Sequence, residues 1–294
     1  MSTKTGFVAV VGKPNAGKSS LLNWLMGEKL AMVSQKANAT RKRSLLISMH
    51  QEHQIIFIDT PGLHEKEKLL NQFMLEEALK AIGDCDVILF LVPATDSIKS
   101  YEAFLKLNPK APHLLLLTKT DLMSQDEILQ AIEKYHDFQD RFISLVPISI
   151  KKGSDRSYLL DEIVKHLPTH PYLYDPEILT TDPMRELYRE FIREAIFENI
   201  SDEIPYCSDV LVEKVEELYD LEKIYATIIV EKQSQKGIII GKGGAALQRI
   251  GKHARLMMEK LCQKRVFLKL FVVVKPGWSQ DKRALKELGY EIRG

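Results

Sequence analysis

From residue 6 to residue 166 the chain alternates short, unbroken apolar runs with stretches in which apolar residues recur at helical spacing. The runs are Phe7–Val11, Ile55–Ile58, Val87–Val92, His113–Leu117 and Phe142–Pro147. Each is rich in Val, Ile, Leu or Phe and short, which suits strands buried on both faces. Helical patterns such as Leu69–Ile82 and Asp126–Tyr135 lie between them. Strand and helix in alternation predict an α/β domain, a mainly parallel sheet with helices on both faces.

The pattern breaks at His166–Pro176, where Pro168, Pro171 and Pro176 exclude helix and central strand. Residues 1–168 are therefore expected to form one domain, 169–183 a linker and 184–294 a second domain. Pro183 opens a helical pattern running to about Asn199, with Thr181 or Asp182 as the expected N-cap. Strand-like segments follow at Asp209–Val215 and Ile224–Glu231, then a glycine-rich junction, a helix to Cys262 and a strand at Val266–Val274. That order predicts an α+β domain.

Composition narrows the class. Hydrophobic residues make up 45% and charged residues 28%, a soluble globular profile. No apolar run approaches the ~20 residues of a membrane span. The first residues lead straight into a strand, so no signal peptide is expected. Cys85, Cys207 and Cys262 are isolated, which fits a reducing cytosol, and no HExxH pattern points to zinc. Charge is uneven: 15 Lys or Arg against 5 Asp or Glu give residues 231–294 a local +10. The whole chain carries +1, so residues 1–230 sum to −9. A basic C-terminal region suggests a polyanionic partner, with a merely solvated surface as the alternative.

The candidate chemistry begins after the first run. Gly12-Lys13-Pro14-Asn15-Ala16-Gly17-Lys18-Ser19 joins that strand to a helix that Lys18, Ser19 and Ser20 open. Backbone N–H groups and the helix N-terminus then point at one spot, which is an anion site. Lys18 supplies a cation for β- and γ-phosphates, and the Ser19 hydroxyl suits Mg²⁺. Asp59-Thr60-Pro61-Gly62, followed by Leu63, ends another strand. There Asp59 can hold Mg²⁺ through water and Gly62 can meet the γ-phosphate. Thr118-Lys119-Thr120-Asp121 ends a third strand. The Asp121 carboxylate can accept two hydrogen bonds from guanine, a donor pair that adenine lacks, while the Lys119 stem lies over the base. Ser149 and Ile150 stand where backbone N–H groups can reach the guanine carbonyl. Thr40, in Asn38-Ala39-Thr40-Arg41-Lys42-Arg43, can complete the Mg²⁺ shell.

On these motifs the N-terminal domain resembles the Era family of bacterial small GTPases. The resemblance implies a phosphate loop, a switch I threonine at Thr40, a DxPG switch II and a guanine motif. Thr118 replaces the usual Asn, and Ile150 the usual Ala. Leu63 stands where Ras-type enzymes carry a water-orienting Gln. Asn15 matches the asparagine with which related potassium-activated GTPases ligate K⁺, so Asn15, Lys18, Thr40 and Gly62 form the expected catalytic set. The expected cofactors are GTP/GDP, Mg²⁺ on Ser19, Thr40 and Asp59, and K⁺. His64 is a further candidate water contact.

In the C-terminal region Gly241-Lys242-Gly243-Gly244 matches a GXXG loop between helices, which in a KH domain clamps about four nucleotides of single-stranded RNA. Ile239, Ile240, Leu247 and Ile250 are expected to floor an apolar groove, with plain core packing as their alternative. Lys242, Arg249, Lys252 and Arg255 supply a basic face. From Pro205 to Tyr290 the chain resembles the C-terminal type II KH domain of the Era family. The resemblance covers nearly the full chain. It implies binding to the 3′ end of small-subunit (16S) ribosomal RNA and a part in 30S subunit maturation. It also implies a cytoplasmic monomer, with peripheral contact at the inner face of the cell membrane left open. Two rivals stand at this point. A tRNA-modifying, potassium-dependent GTPase shares the phosphate loop but lacks a KH domain, and a scaffold would hold nucleotide without turnover.

Overall fold

The structure is a computed structural model and describes residues 2–33, 40–63, 69–201 and 203–290. The chain divides into two compact units, the first running to Thr181 and the second from Asp182; Met32, Val33 and Leu69–Phe73 group with the second.

The first unit contains β1 (Thr5–Gly12), α1 (Lys18–Met26), β2 (Ser44–His50) and β3 (His53–Asp59). It continues through α2 (Leu69–Gly83), of which Met74 onward belongs here, β4 (Val87–Pro93), α3 (Lys99–Lys106) and β5 (His113–Thr118). Then come α4 (Gln125–Glu133), β6 (Ser144–Pro147) and α5 (Arg156–Lys165). Among the described residues the strands form one six-stranded sheet, ordered β2-β3-β1-β4-β5-β6. Only β2 runs antiparallel, against β3. All seven residues of β4 are buried, as expected of a strand covered on both faces. Each of the five apolar runs holds a strand, the last only from Ser144. Strand β2 is an addition: Leu45-Leu46-Ile47 is too short a run, set between polar residues, to declare itself.

Because the parallel strands all point one way, the loops after β1, β3, β5 and β6 gather at one edge of the sheet. Ligands bind at the carboxyl ends of strands in such sheets, and all four nucleotide motifs lie there.

The proline-rich stretch expected as a linker is hydrogen-bonded to the first unit. Thr5 donates its N–H to the Pro168 carbonyl (3.1 Å), and His170 donates to Thr3 (3.2 Å). The buried Gln54 amide accepts from the N–H groups of Leu173 (2.9 Å) and Tyr174 (3.0 Å) and donates to the Tyr174 carbonyl (2.8 Å). Farther on, Ile47 donates to the Leu179 carbonyl (2.8 Å) and Thr180 Oγ1 donates to the Leu45 carbonyl (2.7 Å). Proline forbids helix but permits an extended strip that satisfies a sheet edge.

The second unit comprises α6 (Met184–Asn199), β7 (Ser208–Glu217), β8 (Leu221–Val230), α7 (Gln233–Ile240), α8 (Ala245–Cys262), β9 (Arg265–Val274) and α9 (Lys282–Glu287). Strand β8 is central, antiparallel to β7 and parallel to β9. The N-cap of α6 is Pro183, with φ −63°, and no side chain caps it; Thr181 and Asp182 do not take the role expected of them. The proline ring sets the entry dihedral by itself.

A buried ion network fastens α6 to β7. Arg189 Nη2 donates to Asp209 Oδ1 (2.9 Å) and to the Tyr290 hydroxyl (2.9 Å), while Tyr290 donates to Asp209 Oδ2 (2.5 Å). Arg193 Nε lies 3.8 Å from the same carboxylate. Removing one member of such a network strands the others in low dielectric. Asp209→Ala is expected to destabilise the second unit by about 3–5 kcal/mol, measured by denaturant unfolding, and Asp209→Asn to cost less.

Candidate functional site: a phosphate loop with gathered oxygen donors, and a separate GXXG loop

The phosphate loop turns out of β1 and delivers the chain to α1. Gly17 precedes the helix in the left-handed region, and neither a side-chain cap nor a first-turn acid competes for the helix N-terminus. The first-turn N–H groups, Ser19 and Ser20 among them, are left to an anion. Lys18 is 7% exposed, and its ammonium donates to the carbonyls of Gly12 and Lys13, both at 3.1 Å. Burial lowers its pKa to about 8, against the opposing pull of Asp59. A triphosphate would satisfy this desolvated cation. The Lys13 side chain pairs with Asp96, in the loop after β4, a partner that sequence reasoning missed.

The three predicted metal ligands meet. Ser19 Oγ and Thr40 Oγ1 share a hydrogen bond at 3.2 Å, and Thr40 Oγ1 donates to Asp59 Oδ2 at 3.4 Å. Two hydroxyls and a carboxylate are hard oxygen donors, the set that Mg²⁺ takes alongside phosphate oxygens and water. Asp59 is buried at the end of β3, and Thr60 Oγ1 donates to the Val10 carbonyl (2.6 Å), pinning this segment to β1. Asn38, Ala39 and His64 lie outside the described residues.

Gly62 rests against the phosphate loop. A Cβ at this position would sit 2.7 Å from the Pro14 nitrogen, and backbone cannot yield as a flexible side chain can. Leu63 donates its N–H to the Gly12 carbonyl (3.2 Å), and its half-buried side chain packs on the core of the sheet. A methyl at 62 therefore displaces either switch II or the loop. Gly62→Ala is expected to lower kcat for GTP hydrolysis by about 10²-fold, the scale of a misplacement near 1 Å, while GDP still binds. Single-turnover phosphate release alongside GDP titration measures both.

On the base side, the exposed Lys119 has φ 60° and turns the chain so that Asp121 follows in a single helical turn. Ser149 Oγ donates to Asp121 Oδ1 (2.9 Å) and accepts from the Lys152 N–H (3.1 Å). Ser154 Oγ accepts from the Ser149 N–H (2.8 Å), a support no motif announced. Ile150 is half-buried beside this pair. Thr118 is buried, and its hydroxyl donates to the Ala16 carbonyl at 2.8 Å. Thr118 thus ties the base-reading strand directly to the phosphate loop. Asn15 is exposed on the loop at φ 62°.

In the second unit, Gly241 separates α7 from the GXXG turn. Its φ is +72°, and a Cβ there would meet the Ala246 Cβ at 2.8 Å, so side chains are excluded by both strain and space. At Gly243 and Gly244 a Cβ would meet nothing within 4 Å, so that side of the loop is open to a ligand backbone. Lys242 is exposed on the loop, and Arg249, Lys252 and Arg255 are exposed along α8. One expectation is corrected. Ile239 and Ile250 are 0% exposed and belong to the core, so neither forms a groove floor. Ile240 and Leu247 are half-buried against that core, and the exposed isoleucine of α7 is Ile238, at 51%.

Comparison with known proteins agrees with this division. Residues 7–119 match the family model described as "50S ribosome-binding GTPase", and residues 203–279 match "KH domain". The chain is 51% identical to GTPase Era of Campylobacter lari over 288 residues, covering 98% of this chain and 99% of that one. It is 48% identical to GTPase Era of Helicobacter pylori over 295 residues, covering 99% and 98%. Two solved structures superpose at a TM-score of 0.94 and 34% identity. One is an Era variant from Aquifex aeolicus bound to GDP·AlF4⁻, covering 98% of this chain and 100% of that one. The other is Era with MgGDPNP and nucleotides 1506–1542 of 16S ribosomal RNA, covering 99% and 100%. With identity of this order across both units, and a phosphate loop, gathered oxygen donors and guanine motif in place, the chain belongs to the Era family of GTPases.

Proposed function

We propose that this protein is a GTP-gated clamp on the 3′ end of small-subunit ribosomal RNA that assists 30S subunit assembly. The observation that carries the reading is the pairing of two sites in one chain. Ser19, Thr40 and Asp59 gather in the first unit, and an open, basic GXXG loop stands in the second. The solved Era complex with MgGDPNP and a 16S segment, alike over 99% of this chain, supports the choice of RNA.

The residues divide the chemistry. Loop and α1 N–H groups with Lys18 hold the phosphates, and Asp121 with Ser149 orients guanine. Ser19, Thr40 and Asp59 would hold Mg²⁺, which neutralises charge developing between the β- and γ-phosphates. Leu63 offers no polar atom to the attacking water, so this chain does not use the Ras arrangement. Asn15, exposed on the loop, would ligate K⁺ beside the phosphates, and that cation would supply the charge an arginine finger supplies elsewhere. Thr40 and Gly62 sense the γ-phosphate, and their ordering biases the RNA-binding unit. The protein acts as a cytoplasmic monomer. Peripheral contact with the inner face of the cell membrane belongs to the same reading, and no described helix is long and apolar enough to cross a membrane.

Affinity for a 16S 3′-end RNA, measured with a non-hydrolysable GTP analogue and with GDP, is expected to be higher with the analogue. Equal affinities contradict the gating. Turnover is expected to rise in potassium over sodium and to lose that difference in Asn15→Ala; equal rates in the two salts contradict the cation role.

A further inference from the structure

The helices of the second unit pack on one face of its sheet, and on the other face the side chains of β8 at Thr227 and Ile229 are buried while those of the edge strand β9 stand out. On the covered face Val266, Leu268, Leu270, Val272 and Val274 of β9 pack into the core under the helices. On the other face of the same strand Phe267, Phe271 and Val273 are 48%, 43% and 47% exposed. Three exposed apolar side chains on one strand face are a liability for a soluble protein unless something binds them.

Their arrangement indicates what binds. Phe267 and Phe271 stand about 13 Å apart along the strand, four residues at ~3.3 Å each. Lys269 stands between them, its ammonium 5.2 Å from the centre of the Phe271 ring. Tyr225 of β8 meets Phe267 edge-on, with ring centroids 6.3 Å apart. Alternating ring, cation and ring is the chemistry of a stacking platform: rings take the π-faces of unstacked bases, and the cation takes the phosphate between them. From Leu261 to Gln280 there is no Asp or Glu; of the cations in that stretch Arg265 pairs with Asp220 (2.6 Å) and Lys275 with Glu287 (2.5 Å), while Lys269 lies over the Phe271 ring. The acids of this face, Glu213 and Glu216, lie on the far strand β7, where Glu213 accepts from Thr227 Oγ1 (2.6 Å) and Glu216 pairs with Lys214. The ring-cation-ring arrangement is therefore confined to β9, with Lys269 as its cation.

We propose that Phe267, Lys269 and Phe271 form a second binding site for single-stranded RNA, separate from the GXXG loop. The site rests on the RNA-binding reading above. It extends that grip from the few nucleotides at Gly241–Gly244 to a longer strand that rounds the free edge of β9. Recognition by stacking makes it tolerant of sequence and selective against duplex RNA, whose bases cannot reach the rings.

The test uses the full chain, a tetranucleotide that fills only the GXXG loop, a single-stranded RNA of about sixteen nucleotides and a duplex of the same length. The Phe267→Ala/Phe271→Ala pair is expected to weaken the long single strand by roughly 30-fold, the lower end for two lost base–ring stacks, and to leave the tetranucleotide within two-fold (~2). Lys269→Glu, which keeps both rings, should weaken the long strand and flatten its salt dependence. Gly243→Asp should weaken both single strands. If the double variant matches the parent on the long strand while Gly243→Asp loses the tetranucleotide, the second site is overturned and the GXXG reading stands. If the parent binds neither RNA, the underlying reading fails and takes this one with it. If the parent sediments as a dimer that the double variant dissociates, the face belongs to a second copy and the proposal is overturned.

Discussion

Asp121→Asn is expected to turn this protein from a guanine into a xanthine nucleotide binder. The Asp121 carboxylate is acceptor-only and meets the N1–H and exocyclic amine of guanine, two donors. An asparagine amide in the same place presents one acceptor and one donor. Guanine then faces an N–H with an N–H, whereas xanthine carries a carbonyl where guanine carries the amine. The support is preserved, because Ser149 Oγ donates to Oδ1, which stays an acceptor in asparagine. Loss of two charge-assisted bonds at about 1.5–3 kcal/mol each predicts a fall in GTP affinity of at least ~10²-fold, with xanthosine triphosphate gaining relative to GTP. Competition binding with GTP, XTP and ATP measures it. A variant that loses all three nucleotides together would show collapse of the loop, not altered reading.

Lys18→Ala is expected to remove turnover and most triphosphate affinity, yet to leave the empty protein no less stable. The ammonium is buried and rests on two backbone carbonyls, and desolvation holds its pKa down at about 8. The fold gains little from a cation kept in such a place. The γ-phosphate is what rewards it, and losing one preorganised electrostatic contact to the transition state costs about 10²–10³ in kcat. Phosphate release should fall by at least that much, while the thermal midpoint stays level or rises. A large drop in midpoint would mean that Lys18 serves the fold instead.

The strands and the loops that carry the site are legible in the sequence for a physical reason. Continuous apolar strands and a loop built to expose amides leave a dense signature, so Phe7–Ser19 and Ile55–Gly62 read directly. Strand β2 did not, since only Leu45, Leu46 and Ile47 mark it and its pairing partner is needed to align them. The Thr118 hydroxyl reaches Ala16 across 102 residues of sequence, a contact no local pattern encodes. The GXXG turn was visible as glycines, but the phase of α7 was not. One residue of rotation exposes Ile238 and buries Ile239, and eight residues fix that phase only once packed on a core. The capping role assigned to Thr181 or Asp182 failed because Pro183 already supplies the entry dihedral.

The most direct measurement is equilibrium uptake of labelled GTP and GDP by the purified full-length chain with magnesium, challenged by excess unlabelled ATP. The predicted result is saturable uptake of one nucleotide per chain that ATP does not displace and that Lys18→Ala abolishes. No uptake, or uptake that ATP displaces as readily as GTP does, would contradict the account.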